Sequence, residues 1–184
     1  MREASTISAE CTLAHVRLEE ANALGEREFV VRFGGVFEHS PWVAERAWKE
    51  RPFRSVDALH AAMMRAVLQA KKDERLALVR AHPELAGAEA EQGRLTADSS
   101  SEQGRLGFLQ LTGEEFQAMA RVNQRYRERH GFPCIVALRL HATRESVLAE
   151  ITRRTENDPD AELGNALEQI GQITRGRLAG IFHG

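Results

Sequence analysis

The sequence predicts an all-α protein. Apolar residues recur at helical three-and-four spacing along most of the chain, and helix caps and stops mark nearly every junction. The one run that could form a buried strand, Phe132 to Leu138, has no partner elsewhere, and a lone strand does not make a sheet.

Taken in order, Ser8 can cap a helix carrying Cys11, Leu13, Val16 and Leu18, ended by Asn22 to Gly25. Glu26 to Phe33 forms one or two amphipathic turns closed by Gly34-Gly35. Ser40-Pro41 sets a cap before a first-turn proline and starts a helix through Trp48, which Arg51-Pro52 breaks. Ser55 caps a helix whose apolar face is Val56, Leu59, Met63, Val67 and Ala70. Asp73 opens another that stops at His82-Pro83, because a residue before proline avoids helical torsions.

Glu84 to Ala97 is polar, contains Gly87 and Gly93, and is read as an exposed loop with room for a helical turn. Ser99 to Glu102 has capping-box spacing, and Thr112 to Glu115 repeats it before a long helix to His130 stopped by Gly131. Thr143 caps a helix to Arg154. Asp158-Pro159 starts the last, with Leu163, Leu167, Ile170, Ile173 and Leu178 on its face. No repeat or linker interrupts the chain, so residues 1–184 are expected to form one compact multi-helix domain.

Composition narrows the function. The 184 residues carry 25 Lys plus Arg against 27 Asp plus Glu, a formal charge of −2, which argues against a nucleic-acid coat. Only three basic residues are lysines, and the arginine excess supplies planar forks suited to carboxylates. The longest apolar run, Cys134 to Leu138, has five residues, far short of the ~18 of a membrane span. Cys11 and Cys134 show neither zinc nor redox-motif spacing, and the seven histidines form no ligand pattern, so no metal is expected. Without a signal-peptide layout, a reducing, cytoplasmic setting is the expectation.

Several residues carry two readings. His82 can simply cap a helix C-terminus, which is the simpler account of its spacing. Alternatively, held in direction by Pro83, its imidazole can move protons near neutral pH. Ser99, Glu102 and Gln103 are explained by a capping box, yet the same helix start can present a hydroxyl, a carboxylate and an amide to a polar ligand. Glu38 and His39, before the Ser40 cap, read as surface or capping groups. Of Trp42 and Trp48, on different helix faces, one is expected in the core and the other at an interface. Arg175 and Arg177 are either solvated or a carboxylate clamp.

Taken together, Glu38-His39-Ser40-Pro41-Trp42, Arg51-Pro52-Phe53, Ala81-His82-Pro83-Glu84-Leu85-Ala86-Gly87, Leu95-Thr96 with Ser99-x-x-Glu102-Gln103, Asn123-x-x-Tyr126 and Gly131-Phe132-Pro133 resemble the OHCU decarboxylases. These act on 2-oxo-4-hydroxy-4-carboxy-5-ureidoimidazoline (OHCU), in the last step from urate to (S)-allantoin. The resemblance spans roughly Leu24 to Leu178. It implies an all-helical fold, a homodimer and decarboxylation without metal or organic cofactor. It further implies a catalytic role for His82, beside Pro83, and a ligand-binding helix start at Ser99, Glu102 and Gln103. Ile135 is implied as a backbone pocket wall, and Arg177, with Arg175 as the alternative, as the late binding arginine. Cys134 departs from the aromatic often found after Phe-Pro in the family.

On that resemblance, His82 is expected to pair with Glu102 and handle the substrate hydroxyl proton. Ser99 and Gln103 would bind the ureido and ring polar groups, and Arg177 an anionic or carbonyl group. A helical ureide-binding protein of the same fold, without catalysis, is the competing expectation.

Overall fold

The computed structural model describes residues 16–182, and all described regular structure is helical. Ser8, Cys11 and Leu13 lie outside those residues; within them the expected helix carrying Val16 and Leu18 is corrected, because Arg17 is extended at the cap and helix begins only at Leu18. Within them the chain runs through α1 (Leu18–Ala23), α2 (Glu26–Phe33), α3 (Trp42–Trp48), α4 (Val56–Leu68) and α5 (Lys72–Arg80). It continues through α6 (Ala88–Glu91), α7 (Ala97–Arg105), α8 (Gly113–His130), α9 (Arg144–Thr155) and α10 (Pro159–Phe182). Short 3-10 turns cover Gly34–Phe37 and Leu138–Leu140.

Local sequence accounts for most helix starts. Ser55 Oγ accepts from Ala58 N at 3.0 Å, Thr143 Oγ1 from Ser146 N at 3.2 Å, and Asp158 Oδ1 from Asp160 N at 3.0 Å. Thr112 and Glu115 form a reciprocal capping box, and Gly131 closes α8 with φ 77°, a left-handed torsion that favours glycine.

α10 is the spine. Its 24 residues, about 36 Å at helical rise, pack against α4, α5, α8 and the Gly34–Phe37 turn. Leu163, Leu167, Ile170, Ile173 and Leu178 are all buried, as the three-and-four pattern predicts. Around the spine, α2 packs on α3, α3 on α4, and α8 on α9.

Several expectations are corrected. The Ser99-to-Glu102 box does not form: Thr96 is the cap of α7, its hydroxyl accepting from Ser99 N at 3.3 Å, which puts Ser99 inside the first turn. Asp73 likewise lies within α5, whose cap residue Lys71 has its backbone N–H bound by Glu74. α3 begins one residue later than read, with Pro41 at the cap. Neither Trp42 nor Trp48 is fully buried; each packs beneath a guanidinium, Arg46 and Arg51 respectively.

The Glu84-to-Ala97 segment is not uniformly exposed, for Leu85 and Ala86 are buried. Asn123 Nδ2 donates to Leu85 O at 2.8 Å, and Ala86 N to Gln103 Oε1 at 3.0 Å, fixing this loop from two sides.

The stretch from Cys134 to Ala137 is buried but not a strand. Its backbone is satisfied by helix side chains instead of a ladder. Arg154 Nη1 donates to Ile135 O at 2.6 Å and Ala137 N donates to Gln169 Oε1 at 2.8 Å. Buried peptide groups must be paired, and here the surrounding helices do it. Arg154 is in turn held by Glu162, and both are essentially solvent-free. Tyr126 Oη, Asn157 Nδ2 and Asn165 Nδ2 complete the shell of the Glu162 carboxylate.

Candidate active site

Four segments line one small cleft: the end of α5, the start of α7, the extended stretch before Leu138, and the late part of α10, with Glu38 after the α2 turn bound to Ser99 and Arg177. The cleft is narrow and opens to solvent on one side. His82, Pro83, Ser99, Glu102, Gln103, Ile135 and Arg177 all line it, together with Cys134 and Ile173.

His82 owes its setting to the end of α5. The last turn tightens, so that His82 N donates to Val79 O at 3.2 Å rather than to Leu78 O. That leaves the Leu78 carbonyl for the His82 ring, with Nδ1 at 3.1 Å. A carbonyl only accepts, so Nδ1 carries the proton and the neutral ring keeps its lone pair on Nε2. Nε2 is buried and has no hydrogen-bond partner. Burial is the main force pushing His82 down to about 4; the Leu78 carbonyl and Glu38 act the other way, while Arg177 and His39 reinforce the fall. The imidazole is therefore neutral at pH 7.

The cluster opposite is charged. Arg177 Nε donates to Glu102 Oε1 and Nη2 to Glu102 Oε2, both at 2.9 Å, a fork-to-fork pair. Arg177 Nη2 also lies 3.2 Å from Ser99 Oγ and 2.8 Å from Glu38 Oε1. Although burial disfavours its charge, Glu102 and Glu38 hold Arg177 firmly protonated. Glu102 thus pairs with Arg177, not with His82 as expected: a guanidinium offers two parallel donors, whereas a neutral Nε2 offers none.

Arg175 is elsewhere. It forms an exposed pair with Asp57 at 3.2 Å and does not line the cleft, because two helical positions turn it away from Arg177.

Sequence reasoning missed Glu38. Its side chain is fully buried, and its backbone has φ 34°, ψ −165°, a strained conformation for a non-glycine residue. Oε1 accepts from Thr96 Oγ1 at 3.2 Å and from Ser99 Oγ. Burial raises its affinity for a proton, but the Ser99 hydroxyl, Arg177 and His82 outweigh it, holding the carboxyl below its ordinary range. A charge between Phe37 and Ser40, with bulky apolar neighbours on either side, was the available signal.

Hydrogen-bond direction limits what each group can offer a ligand. The Ser99 proton goes to Glu38, so Ser99 Oγ faces the cleft as an acceptor. Gln103 Oε1 takes the Ala86 N–H, leaving Nε2 as a donor. The Cys134 thiol, pushed up to about 12 chiefly by burial, stays protonated and is not a nucleophile at neutral pH. Among the described residues no group of three or more His, Cys, Asp or Glu is placed to hold a metal ion, and no helix is long and apolar enough to cross a membrane.

The family profile of the OHCU decarboxylases matches residues 22–179. The chain belongs to the OHCU decarboxylase family. A 2-oxo-4-hydroxy-4-carboxy-5-ureidoimidazoline decarboxylase of Haloferax volcanii is 39% identical over 165 residues, covering 90% of this chain and 95% of that protein. The mouse protein of the same name is 33% identical, covering 89% and 91%. Among solved structures, an (S)-allantoin synthase superposes with a TM-score of 0.72 at 30% identity, over 90% of this chain and 53% of that longer one. An OHCU decarboxylase crystallised in the presence of (S)-allantoin shares the fold, with a TM-score of 0.64 at 23% identity over 87% of this chain and 100% of that one. Every residue lining the cleft falls inside the OHCU decarboxylase match.

Proposed function

We propose that this OHCU decarboxylase family member converts OHCU to (S)-allantoin, the last step from urate, and that the substrate itself supplies the electron sink. The carrying observation is His82, a buried neutral imidazole with Nδ1–H spent on Leu78 O and an unpartnered Nε2 beside the Ser99–Glu102–Arg177 cluster.

The substrate's name fixes its bonding. With C2 an oxo carbon and C4 bearing both hydroxyl and carboxylate, the one ring double bond of the imidazoline is C5=N1. When the C4–carboxylate bond breaks, its electron pair becomes the C4=C5 bond and the C5=N1 π pair passes to N1, which takes a proton as carbon dioxide leaves. The C4 hydroxyl then loses its proton as C4=O forms, and C5 accepts one proton on a single face.

His82 Nε2 is the base for the hydroxyl proton. Such positioned proton transfer contributes about 10² to 10⁴ in rate. Ser99 Oγ, an acceptor, suits a ureido N–H, and Gln103 Nε2, a donor, suits a ring or ureido carbonyl. Arg177 orients the substrate carboxylate or the adjacent carbonyl while Glu102 holds the guanidinium in plane. Pro83 and the Ile135 backbone form the walls.

The working unit is proposed to be a homodimer, as family resemblance implies, and light scattering of the purified chain tests it. A cytoplasmic setting is supported by the free Cys134 thiol, which a reducing compartment preserves. The decisive experiment generates OHCU from urate enzymatically and follows allantoin by circular dichroism. Rapid appearance of the S enantiomer is expected; slow racemic product at the rate of solution decay would leave only a ureide-binding protein.

A further inference from the structure

Glu38 is a buried carboxylate that the steps above do not use. Three donors, Thr96 Oγ1, Ser99 Oγ and Arg177 Nη2, converge on its Oε1, while its Oε2 is buried without a partner. His82 Nε2 is buried without a partner as well, on the wall of the cleft that Ser99 and Arg177, both bound to Glu38, also line. Two unpartnered buried acceptors, Glu38 Oε2 and His82 Nε2, around one cleft are costly while the ring is neutral. The arrangement becomes favourable once the ring is protonated.

We propose that Glu38 is a positioning residue of the reaction, locking Ser99 and Arg177 in place and supplying the buried negative charge that stabilises His82 when Nε2 takes the substrate proton. This rests on the reading of His82 as the base. The hydrogen-bond pattern supports the first half directly: Glu38 dictates that Ser99 Oγ faces the cleft as an acceptor, and shares Arg177 with Glu102. For the second half, the charged groups acting on His82 are Glu38, which favours the imidazolium, and Arg177 and His39, which oppose it. Arg80, Glu84, Glu89 and Arg127 line the adjoining cleft that His82 also borders, Glu84 with a largely buried side chain paired to Arg127, and none of them belongs to the Ser99 cluster. The strained Glu38 backbone is consistent with a carboxylate held where packing alone would not put one.

The test uses Glu38→Gln in the full chain, which keeps volume and one acceptor oxygen for Thr96, Ser99 and Arg177 but removes the charge. The expected result is a kcat lowered about ten- to a hundredfold with KM changed by less than about threefold, since charge stabilisation appears only as the proton moves. The His82 ring resonances, followed by NMR, should titrate at lower pH than in the parent, because one group favouring the imidazolium is gone. Glu38→Asp, which restores the charge, should recover part of the lost kcat.

A Gln variant with kcat within about twofold of the parent overturns the proposal, as does a rise in KM alone with the His82 titration unmoved. If the Gln variant does not fold, the Asp variant carries the test. A titration held at the parental pH supports the charge role, and one displaced downward despite the retained carboxylate overturns it. If instead the parent itself fails to accelerate OHCU loss, the His82 reading fails, while the NMR comparison still reports whether Glu38 sets the imidazole's charge.

Discussion

The Arg177 guanidinium grips the Glu102 carboxylate through two parallel hydrogen bonds, both 2.9 Å, across 75 residues of sequence. The same Nη2 reaches Ser99 Oγ and Glu38 Oε1, so one planar group ties α10 to α7 and to the turn after α2. Two carboxylates therefore share one cation, and the cleft keeps a rigid charged wall opposite a neutral histidine.

Arg177→Lys keeps the charge but loses the fork, because an ammonium is a point donor that cannot serve two carboxylate oxygens in one plane. Charge-assisted hydrogen bonds contribute about 1.5–3 kcal/mol, so kcat/KM should fall about ten- to a hundredfold, with the fold retained. Steady-state kinetics on enzymatically generated OHCU measure it. An unchanged kcat/KM would mean that planarity at this position is irrelevant to the substrate.

His82→Asn should lower kcat by about 10² to 10⁴ and also change how stability depends on pH. The histidine titrates at about 4 in the folded chain against about 6.5 unfolded. With the folded value depressed, its contribution to stability is full above pH 6.5 and is lost as pH falls toward 4, because the unfolded chain binds the proton first. The whole shift corresponds to about 3 kcal/mol, of which about 2 is lost by pH 5. Urea unfolding at pH 7 and pH 5 should therefore show the parent losing about 2 kcal/mol more than the Asn variant. Equal losses would place the imidazole in a far more solvated setting.

Ser99→Ala removes a hydroxyl that donates to Glu38 and accepts from Arg177. Leaving buried polar groups short of a partner costs about 1–3 kcal/mol, and the acceptor proposed for the ureido N–H is lost. The expected outcome is a lower urea midpoint together with a KM raised about tenfold, the share of one neutral hydrogen bond. A destabilised variant with parental KM would confine Ser99 to a structural role.

What the sequence reveals and what it hides divide by range. Ser55, Thr112, Thr143 and Asp158 act on backbone groups within three residues, and their helix starts are readable for that reason. Thr96 and Ser99 are both hydroxyls near one helix start, and spacing alone favours Ser99 with Glu102. The choice falls the other way: Thr96 Oγ1 accepts from Ser99 N, and both hydroxyls donate to Glu38, 61 residues upstream of Ser99. The expected site residues His82, Pro83, Ser99, Glu102, Gln103, Ile135 and Arg177 assemble in one cleft, yet the pairing inside it differs from the expectation, since no local pattern reports that Arg177 outcompetes His82 for Glu102. The Cys134-to-Ala137 stretch looks like a strand because its apolar residues are buried. Its hydrogen-bond partners, the Arg154 and Gln169 side chains, leave no trace in local periodicity.

Arg154 provides the last prediction. It is buried against Glu162 and donates to the Ile135 carbonyl, so it supports the cleft wall from behind. Arg154→Met removes the cation and leaves the Glu162 carboxylate buried with only Tyr126, Asn157 and Asn165 as donors. Breaking a buried pair in this way costs about 3–5 kcal/mol, much of it the stranded charge. Adding Glu162→Gln to the same chain removes that charge while keeping an acceptor for Tyr126, so the double variant should be more stable than the single one. Urea denaturation of the parent, the two single variants and the double variant decides it. If the two substitutions cost stability additively, the penalty lies in packing and the lost Ile135 contact, not in an uncompensated carboxylate.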